Sequence, residues 1–319
     1  MKRVVLAVAA AVLLAAAGQA GAEDFPAKQV KMIIPFAPGG GNDTVGRLVA
    51  ENMDLGQPVV VENREGAGGA VGLGALKQSP ADGYTIATTS DGPIITNTAL
   101  YDNLPYDPKT DFTPVALMAR SSVVLVANPK LGVKSVADLL ALAREKPGKI
   151  TYSSGGIGNY GHLAAELLAS TAGVRFLHVP YKGTAPAIIA LLSGEVDFAF
   201  SSPATVLEHV KAGKLVAIGV GDAAPHKLFP DARPIAETVP GYQFSSWVGV
   251  IAPAGTPQDR ITKLATAING ALKKEEVVKL LESTGSDVAP LMPAEFGAMI
   301  ESETAKWHEL IKKAGISVK

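Results

Sequence analysis

Short apolar runs alternate with helical segments along most of the chain, and this alternation constrains the fold more than any other feature of the sequence. The apolar runs cover residues 31–36, 58–62, 84–89, 115–119, 123–127, 150–153, 176–179, 196–200, 215–220 and 247–252. Strands separated by helical segments are typical of βαβ units, whose sheets are covered by helices on both faces. The pattern therefore predicts an α/β fold with mostly parallel sheets, followed by mainly helices from residue 256 to Lys319.

The first 22 residues have the pattern of a secretory signal peptide. Lys2 and Arg3 precede an unbroken apolar run over residues 4–17, and the small residues Ala20-Gly21-Ala22 follow it. The run is shorter than the roughly 20 apolar residues that a membrane-spanning helix needs. We therefore expect removal after Ala22, a periplasmic location and a soluble mature protein.

Composition excludes several classes of site and partner. The chain has no cysteine, which excludes disulfide scaffolds, thiolate zinc sites, iron–sulfur clusters and thiol nucleophiles. Its formal net charge is -1, and the sequence contains no long run of lysine or arginine. Because neutralising phosphates takes clustered cations, nucleic acid is not expected as a partner.

Two glycine-rich loops occupy the same place in two strand–helix units. Gly39-Gly40-Gly41 follows the strand at 31–36, and the loop over residues 155–158 follows the strand at 150–153. The first amides of a helix have no intrahelical acceptor and carry a partial positive charge, so each loop can form an anion site without a cationic side chain. If the two sheets face each other, the loops predict a cleft with donors on both sides. Each loop alone is equally compatible with a tight strand–helix turn.

Other chemistries lack the residues that they need. The glycine pattern at 156–161 resembles a dinucleotide fingerprint, but the next strand ends without the acidic residue that binds the ribose. Gly39-Gly40-Gly41 is not followed by the Lys-Ser/Thr pair of a phosphate-binding loop, and no nucleophile elbow is present. The five histidines show no metal-ligand spacing. The sequence predicts no cofactor and no metal. It leaves open an acid–base pair of carboxylates, since two such residues can be far apart along the chain.

Five segments together resemble one known family. They lie at residues 35–43, 55–69, 81–85, 179–187 and 194–198. In this order they are similar to the substrate-binding receptors of tripartite tricarboxylate transporters, the Bug family. The resemblance extends over essentially the whole mature chain.

The resemblance implies a type II periplasmic binding protein fold with a ligand cleft between two domains. Residues 23–118 and 247–319 would form a discontinuous first domain, and residues 119–246 the second. The family captures a small organic carboxylate (a di- or tricarboxylate, an acidic amino acid or an aromatic acid) and delivers it to membrane permease subunits. We expect a monomer without catalytic activity. Two alternatives stay open: a sensor of the same ligands that signals to a membrane kinase, and a periplasmic enzyme on the same fold.

The resemblance also implies which residues hold the ligand. The two loops would supply Phe36, Ala37, Pro38, Gly39, Gly40, Ser154, Gly155, Gly156, Ile157, Gly158 and Asn159. Further candidates are Asp43, Thr88, Ser90, His162, Lys182, Gly183, Ser201 and Ser202.

Several of these candidates have an equally simple structural interpretation. Asp43, at a helix start, is also a typical N-terminal cap. Lys182 is either a cationic ligand contact or an exposed loop lysine, and His162 either faces the cleft or is a capping or packing histidine. Ser201 and Ser202 either line the cleft floor or cap the next helix.

Overall fold

Two β-sheets with flanking helices form the framework of the computed structural model, which describes residues 24–181 and 183–316. The predicted signal peptide, residues 1–22, lies outside the described residues. The first sheet contains β1 (Val30–Ile34), β2 (Val59–Asn63), β3 (Thr85–Thr89), β4 (Phe112–Ser122), β10 (Ser245–Pro253) and β11 (Ser286–Leu291). The second contains β5 (Val124–Ala127), β6 (Thr151–Ser154), β7 (Leu177–Pro180), β8 (Phe198–Ser201) and β9 (Val216–Val220).

Helices follow many of the strands and cover the sheets. They are α1 (Gly41–Asn52), α2 (Ala70–Lys77), α3 (Asn97–Leu100), α4 (Pro108–Asp111), α5 (Val136–Glu145), α6 (Tyr160–Ala172), α7 (Thr184–Ser193), α8 (Pro203–Lys211), α9 (Gln258–Ala271), α10 (Glu275–Ser283) and α11 (Pro293–Ala314). Within the described residues, no helix combines the length and the apolar character needed to span a bilayer.

The predicted two-sheet α/β fold is confirmed, and both sheets are mixed: four of the six described strands in the first sheet and four of the five in the second run in one direction. The strand orders are β11-β4-β10-β3-β1-β2 and β7-β6-β8-β5-β9. β1 runs parallel to β2 and β3, and β6 runs parallel to β7 and β8. β10 is antiparallel to both β3 and β4, and β5 is antiparallel to β8 and β9. The strands that run against the others are β5 and β10, where the chain enters each sheet from the other, and the edge strand β11.

The strand β11 was not predicted. The sequence pattern beyond residue 256 indicates helices, yet Ser286–Leu291 pairs antiparallel with β4 at the edge of the first sheet. This segment contains Ser286, Asp287 and Pro290, so it lacks the apolar run that marks the other strands. Its pairing with β4 makes it a strand, and that pairing is a long-range interaction.

The chain passes from one sheet to the other twice. It leaves the first sheet at the end of β4, reaches β5 through Val123, and returns to the first sheet at β10. β4 and β10 pair with each other up to Ser122 and Ser245. The predicted domain boundaries, at 118/119 and 246/247, lie inside these two strands and stay a prediction.

The long helix α11 packs tightly onto the first sheet. Trp247 of β10 is fully buried, and its Nε1 donates a hydrogen bond of 2.9 Å to Glu303 Oε2. Its ring meets that of Phe296 edge-on, with 5.4 Å between the centroids. The neighbouring Gly249 has no room for a side chain, because a Cβ there would lie 2.8 Å from Phe296 Cε1 and 3.0 Å from the Ala116 carbonyl oxygen.

We expect Gly249→Ala to lower the free energy of unfolding by about 1–3 kcal/mol, because the added methyl group overpacks this contact. Gly270→Ala is the matched control, since Gly270 lies in α9 with no atom within 4 Å of an added Cβ. Removing a helical glycine raises stability by up to about 1 kcal/mol. Denaturant unfolding of both variants measures the two effects, and equal stabilities would contradict the packing argument.

Candidate functional site

A cleft of about 800 Å³ lies between the two sheets and is lined from both. The residues after β1, after β3 and at the end of β4 form one wall together with the start of β10. The loop after β6, the start of α7 and the segment after β8 form the other wall. The cleft thus lies at the carboxyl ends of the parallel strands, where open α/β folds place their ligands.

The first glycine loop presents free backbone donors to this cleft. It runs from Phe36 to Gly40, and α1 begins at Gly41. The amides of Gly40, Gly41 and Asn42 donate to no acceptor in the part of the chain that the structure describes. All three residues line the cleft. The loop therefore offers several N–H groups at a helix N-terminus, as an anion site requires.

The carboxylate of Asp43 stabilises the first glycine loop by accepting hydrogen bonds. Its Oδ2 accepts the amide of Gly39 at 2.9 Å, and its Oδ1 accepts Asn63 Nδ2 at 2.7 Å and Arg47 Nε at 2.9 Å. Asn63 also donates to the Phe36 carbonyl at 3.0 Å. Burial tends to raise the pKa of Asp43, but the hydrogen bonds from Arg47, Gly39 and Asn63 outweigh burial and keep it below the usual value. Asp43 does not line the cleft, and its hydrogen bonds stabilise the loop that does.

The second glycine loop is likewise held by hydrogen bonds from its amides to neighbouring side chains. The amide of Gly158 donates to His162 Nδ1 at 3.0 Å, and that of Gly156 donates to Ser154 Oγ at 3.2 Å. Asn159 caps α6 by accepting the Gly161 amide at 3.0 Å. These bonds fix the loop and use several of its donors.

Other donors of the second loop remain available to the cleft. Gly155 and Ile157 line it, and within residues 24–181 and 183–316 their amides have no acceptor. Each wall of the cleft therefore presents backbone N–H groups that have no partner among the described residues.

Two stacked histidines lie beneath the second loop. The rings of His162 and His178 are 3.9 Å apart between centroids and 8° from parallel, and His178 Nε2 lies 2.6 Å from Ser154 Oγ. Burial lowers the pKa of His178 to about 4, and burial with a smaller effect of His178 lowers the pKa of His162 to about 3. Both rings are neutral in the folded protein near neutral pH and can accept the loop's hydrogen bonds.

A row of hydroxyl groups crosses three strands at the cleft. Ser246 of β10 pairs with Ser121 of β4, and Ser286 of β11 pairs with Ser121 from the other side. The Oγ atoms of Ser121 and Ser286 are 2.7 Å apart. All three serines line the cleft.

Asp91 adds a carboxyl group next to this row. It follows Ser90 at the end of β3, is 8% exposed, and lines the cleft. Its Oδ1 accepts a hydrogen bond of 2.8 Å from Ser246 Oγ. Burial raises the pKa of Asp91 to about 6.

The predicted site residues fall into two groups. Those that line the cleft are Phe36, Gly39, Gly40, Ser90, Gly155, Ile157, Gly158, Asn159 and Ser202. Those that the structure places away from its lining are Ala37, Pro38, Asp43, Thr88, Ser154, Gly156, His162, Gly183 and Ser201. Lys182 lies outside the described residues.

The residues away from the lining have identifiable positions. Ala37 and Pro38 are exposed at the outside of the first loop. Thr88 and Ser201 are fully buried within their strands, and the Thr88 methyl group packs closely beneath Gly46 of α1. The amide of Gly183 donates to the Gly155 carbonyl at 3.2 Å, so Gly183 supports the second loop.

Sequence reasoning missed part of the lining. The missed polar residues are Asn42, Thr44, Asp91, Asn97, Ser121, Ser122, Thr184, Thr205, Ser246, Thr284 and Ser286. Asp91 directly follows the candidate Ser90, so the end of the third strand was a usable signal. Ser121, Ser246 and Ser286 give no such signal in the sequence, because they become neighbours only through pairing between strands that are far apart along the chain.

Comparisons with known proteins agree with this geometry. A family model described as "Tripartite tricarboxylate transporter family receptor" matches residues 45–316. Protein BugT of Bordetella pertussis (strain Tohama I) is 34% identical over 315 residues, which cover 97% of this chain and 97% of BugT.

Two solved structures with bound organic acids are similar over nearly the whole chain. Rpa4515 of R. palustris with adipate has 35% identity and a TM-score of 0.83, covering 92% of this chain and 100% of that chain. MatC (Rpa3494) from Rhodopseudomonas palustris with bound malate has 30% identity and a TM-score of 0.77, covering 90% of this chain and 100% of that chain.

We expect the histidine pair to make stability depend on pH. Because both pKa values lie below the ordinary 6.5, the unfolded chain binds more protons below about pH 6.5, and the free energy of unfolding falls as the pH drops. At about pH 5 each histidine lowers it by about 2 kcal/mol, and above pH 7 the pair has no effect.

His178→Phe keeps the aromatic stack and removes one titrating group, so its unfolding free energy is expected to change less between pH 7 and about pH 5 than that of the wild type. Urea titrations at the two pH values measure the difference. Identical pH dependences would show that the pair does not titrate on unfolding.

Proposed function

The chain belongs to the tripartite tricarboxylate transporter receptor family, and on this basis we propose that it is a periplasmic receptor that binds a small organic carboxylate in the cleft between its two sheets. The observation that carries the proposal is the presence of unpaired backbone amides on both walls of one cleft. Gly40 and Gly41 supply them on the first wall, and Gly155 and Ile157 on the second.

Backbone amides at helix N-termini suit a carboxylate. Each charge-assisted hydrogen bond to a carboxylate contributes about 1.5–3 kcal/mol. A few such bonds, after the costs of association, support an affinity in the micromolar range, near −8 kcal/mol. The adipate and malate found in the two solved relatives are both organic carboxylates, which supports this class of ligand here.

Closure of the two walls around the ligand would complete the site. The described chain crosses between the sheets twice, once through Val123, which suits a hinge. The walls also come close to each other near the second loop, since a Cβ at Gly158 would overlap Leu100 of α3. A carboxylate bonded by both walls stabilises the closed form, because the open form offers it donors from one wall only.

Delivery to a membrane permease completes the proposed role. A receptor that changes shape on binding can present ligand only when closed, and the family model describes transporter receptors. We infer no catalysis: the receptor returns its ligand unchanged. Uptake of the ligand by cells that encode the chain should fail when its gene is deleted and return with the wild-type gene, but not with a variant that cannot bind.

Gly40→Val is the sharpest test of the first loop. Gly40 has an ordinary φ of -77°, and the nearest atom to an added Cβ is the Ala37 carbonyl oxygen at 3.6 Å, so the protein can fold with valine there. Gly156 is less suitable because its φ of 127° strains any other residue. We expect Gly40→Val to weaken carboxylate binding by roughly tenfold or more, since its side chain keeps the ligand from the loop amides.

Calorimetric titration with a panel of organic acids, after a thermal-shift screen, measures this effect. Gly270→Val is the matched control, because Gly270 has room for a side chain and lies in α9. Wild-type affinity in the Gly40→Val protein would contradict the loop assignment. Conversion of the recovered ligand to a product would instead favour an enzyme.

A further inference from the structure

Among the described residues that line the cleft, Asp91 is the one with a charged side chain. The others are glycines, apolar residues and neutral polar residues such as Asn97 and Ser121. A cleft whose backbone donors attract an anion therefore also contains a carboxyl group. This combination is unfavourable for a ligand that carries negative charge at both ends.

Asp91 lies between the first glycine loop and the row of serine hydroxyl groups, both in the first wall of the cleft. In the first sheet β3 lies between β1, which leads into the glycine loop, and β10, which carries Ser246. Asp91 follows β3 and accepts the Ser246 hydroxyl at 2.8 Å. A ligand held by the glycine loop and extending toward the serine row passes this carboxyl group.

Asp91 has no cationic partner in the described part of the chain. The ion pairs found there join other residues. Burial raises the pKa of Asp91, and the carboxylate of Glu303 on α11 raises it further. A buried carboxylate without a counter-charge is costly, and a cationic group of the ligand would remove that cost.

We propose that Asp91 selects the ligand: it accepts a hydrogen bond from an ammonium group, so the receptor prefers a carboxylate that also carries an amine over a dicarboxylate of the same length. The proposal rests on the proposed function, because the glycine loops bind the carboxylate of the same molecule. It differs from the dicarboxylates seen in the solved relatives, adipate and malate. The serine row provides neutral acceptors and donors around the ammonium group.

Matched ligand pairs test the preference without knowledge of the natural ligand. Succinate is paired with γ-aminobutyrate, glutarate with δ-aminovalerate and adipate with ε-aminocaproate, so that each pair differs only in one terminal group. Dissociation constants are measured by calorimetry near pH 7.5, where Asp91, with a pKa of about 6, is ionised. We expect the amino acid to bind more tightly than its dicarboxylate partner, by roughly tenfold or more in the best-fitting pair.

Asp91→Asn keeps the size of the side chain and removes its charge. We expect this variant to shift the affinity ratio toward the dicarboxylate by roughly tenfold or more. Asp231→Asn is the control, because it makes the same change of charge at an exposed position and should leave the ratio unchanged.

The outcomes separate the two proposals. Tighter binding of the dicarboxylate in every wild-type pair overturns the role of Asp91 while leaving the carboxylate receptor intact, and this result needs no variant. An unchanged ratio in a folded Asp91→Asn protein, as judged by its melting temperature, also overturns it. If no acid of either kind binds, the proposed function fails as well.

Discussion

The site depends on a property of every α-helix: its first amides have no acceptor within the helix. In this protein two helices, α1 and α6, begin at the same cleft after glycine loops. Among the described residues, the amides without an acceptor are those of Gly40, Gly41 and Asn42 in the first loop and include those of Gly155 and Ile157 in the second. Since backbone amides cannot be moved by rotating a side chain, the fold itself would set the position of a carboxylate bound as proposed.

Each loop is held by side chains of residues that do not line the cleft. Asp43 fixes the first loop through the Gly39 amide, and Ser154 and His162 fix the second through the amides of Gly156 and Gly158. These three polar residues are close to the ligand loops in sequence, which made them candidates for binding. Their hydrogen bonds order the loops in advance, and such preorganisation reduces the entropy that binding would otherwise cost.

Backbone donors recognise a carboxylate but say little about the rest of the molecule. In the proposed receptor, discrimination among acids would fall to the few side chains that complete the cleft, chiefly the serines of β4, β10 and β11 and the carboxyl group of Asp91. The division explains how one receptor fold can serve different acids, since the loops can stay unchanged while the other lining residues vary.

The sequence by itself determined the alternation of strands and helices, the two glycine loops, the helix starts behind them and the family, because these depend on neighbours along the chain. Only the tertiary structure decided the antiparallel course of β10, the strand β11, and the meeting of Ser121, Ser246 and Ser286 in one row. It also decided that His162 lies beneath its loop while Asp91 lines the cleft. The physical reason is that local periodicity does not encode long-range contacts. These contacts determine which distant strands pair and which hydrogen-bond partner a buried polar side chain has.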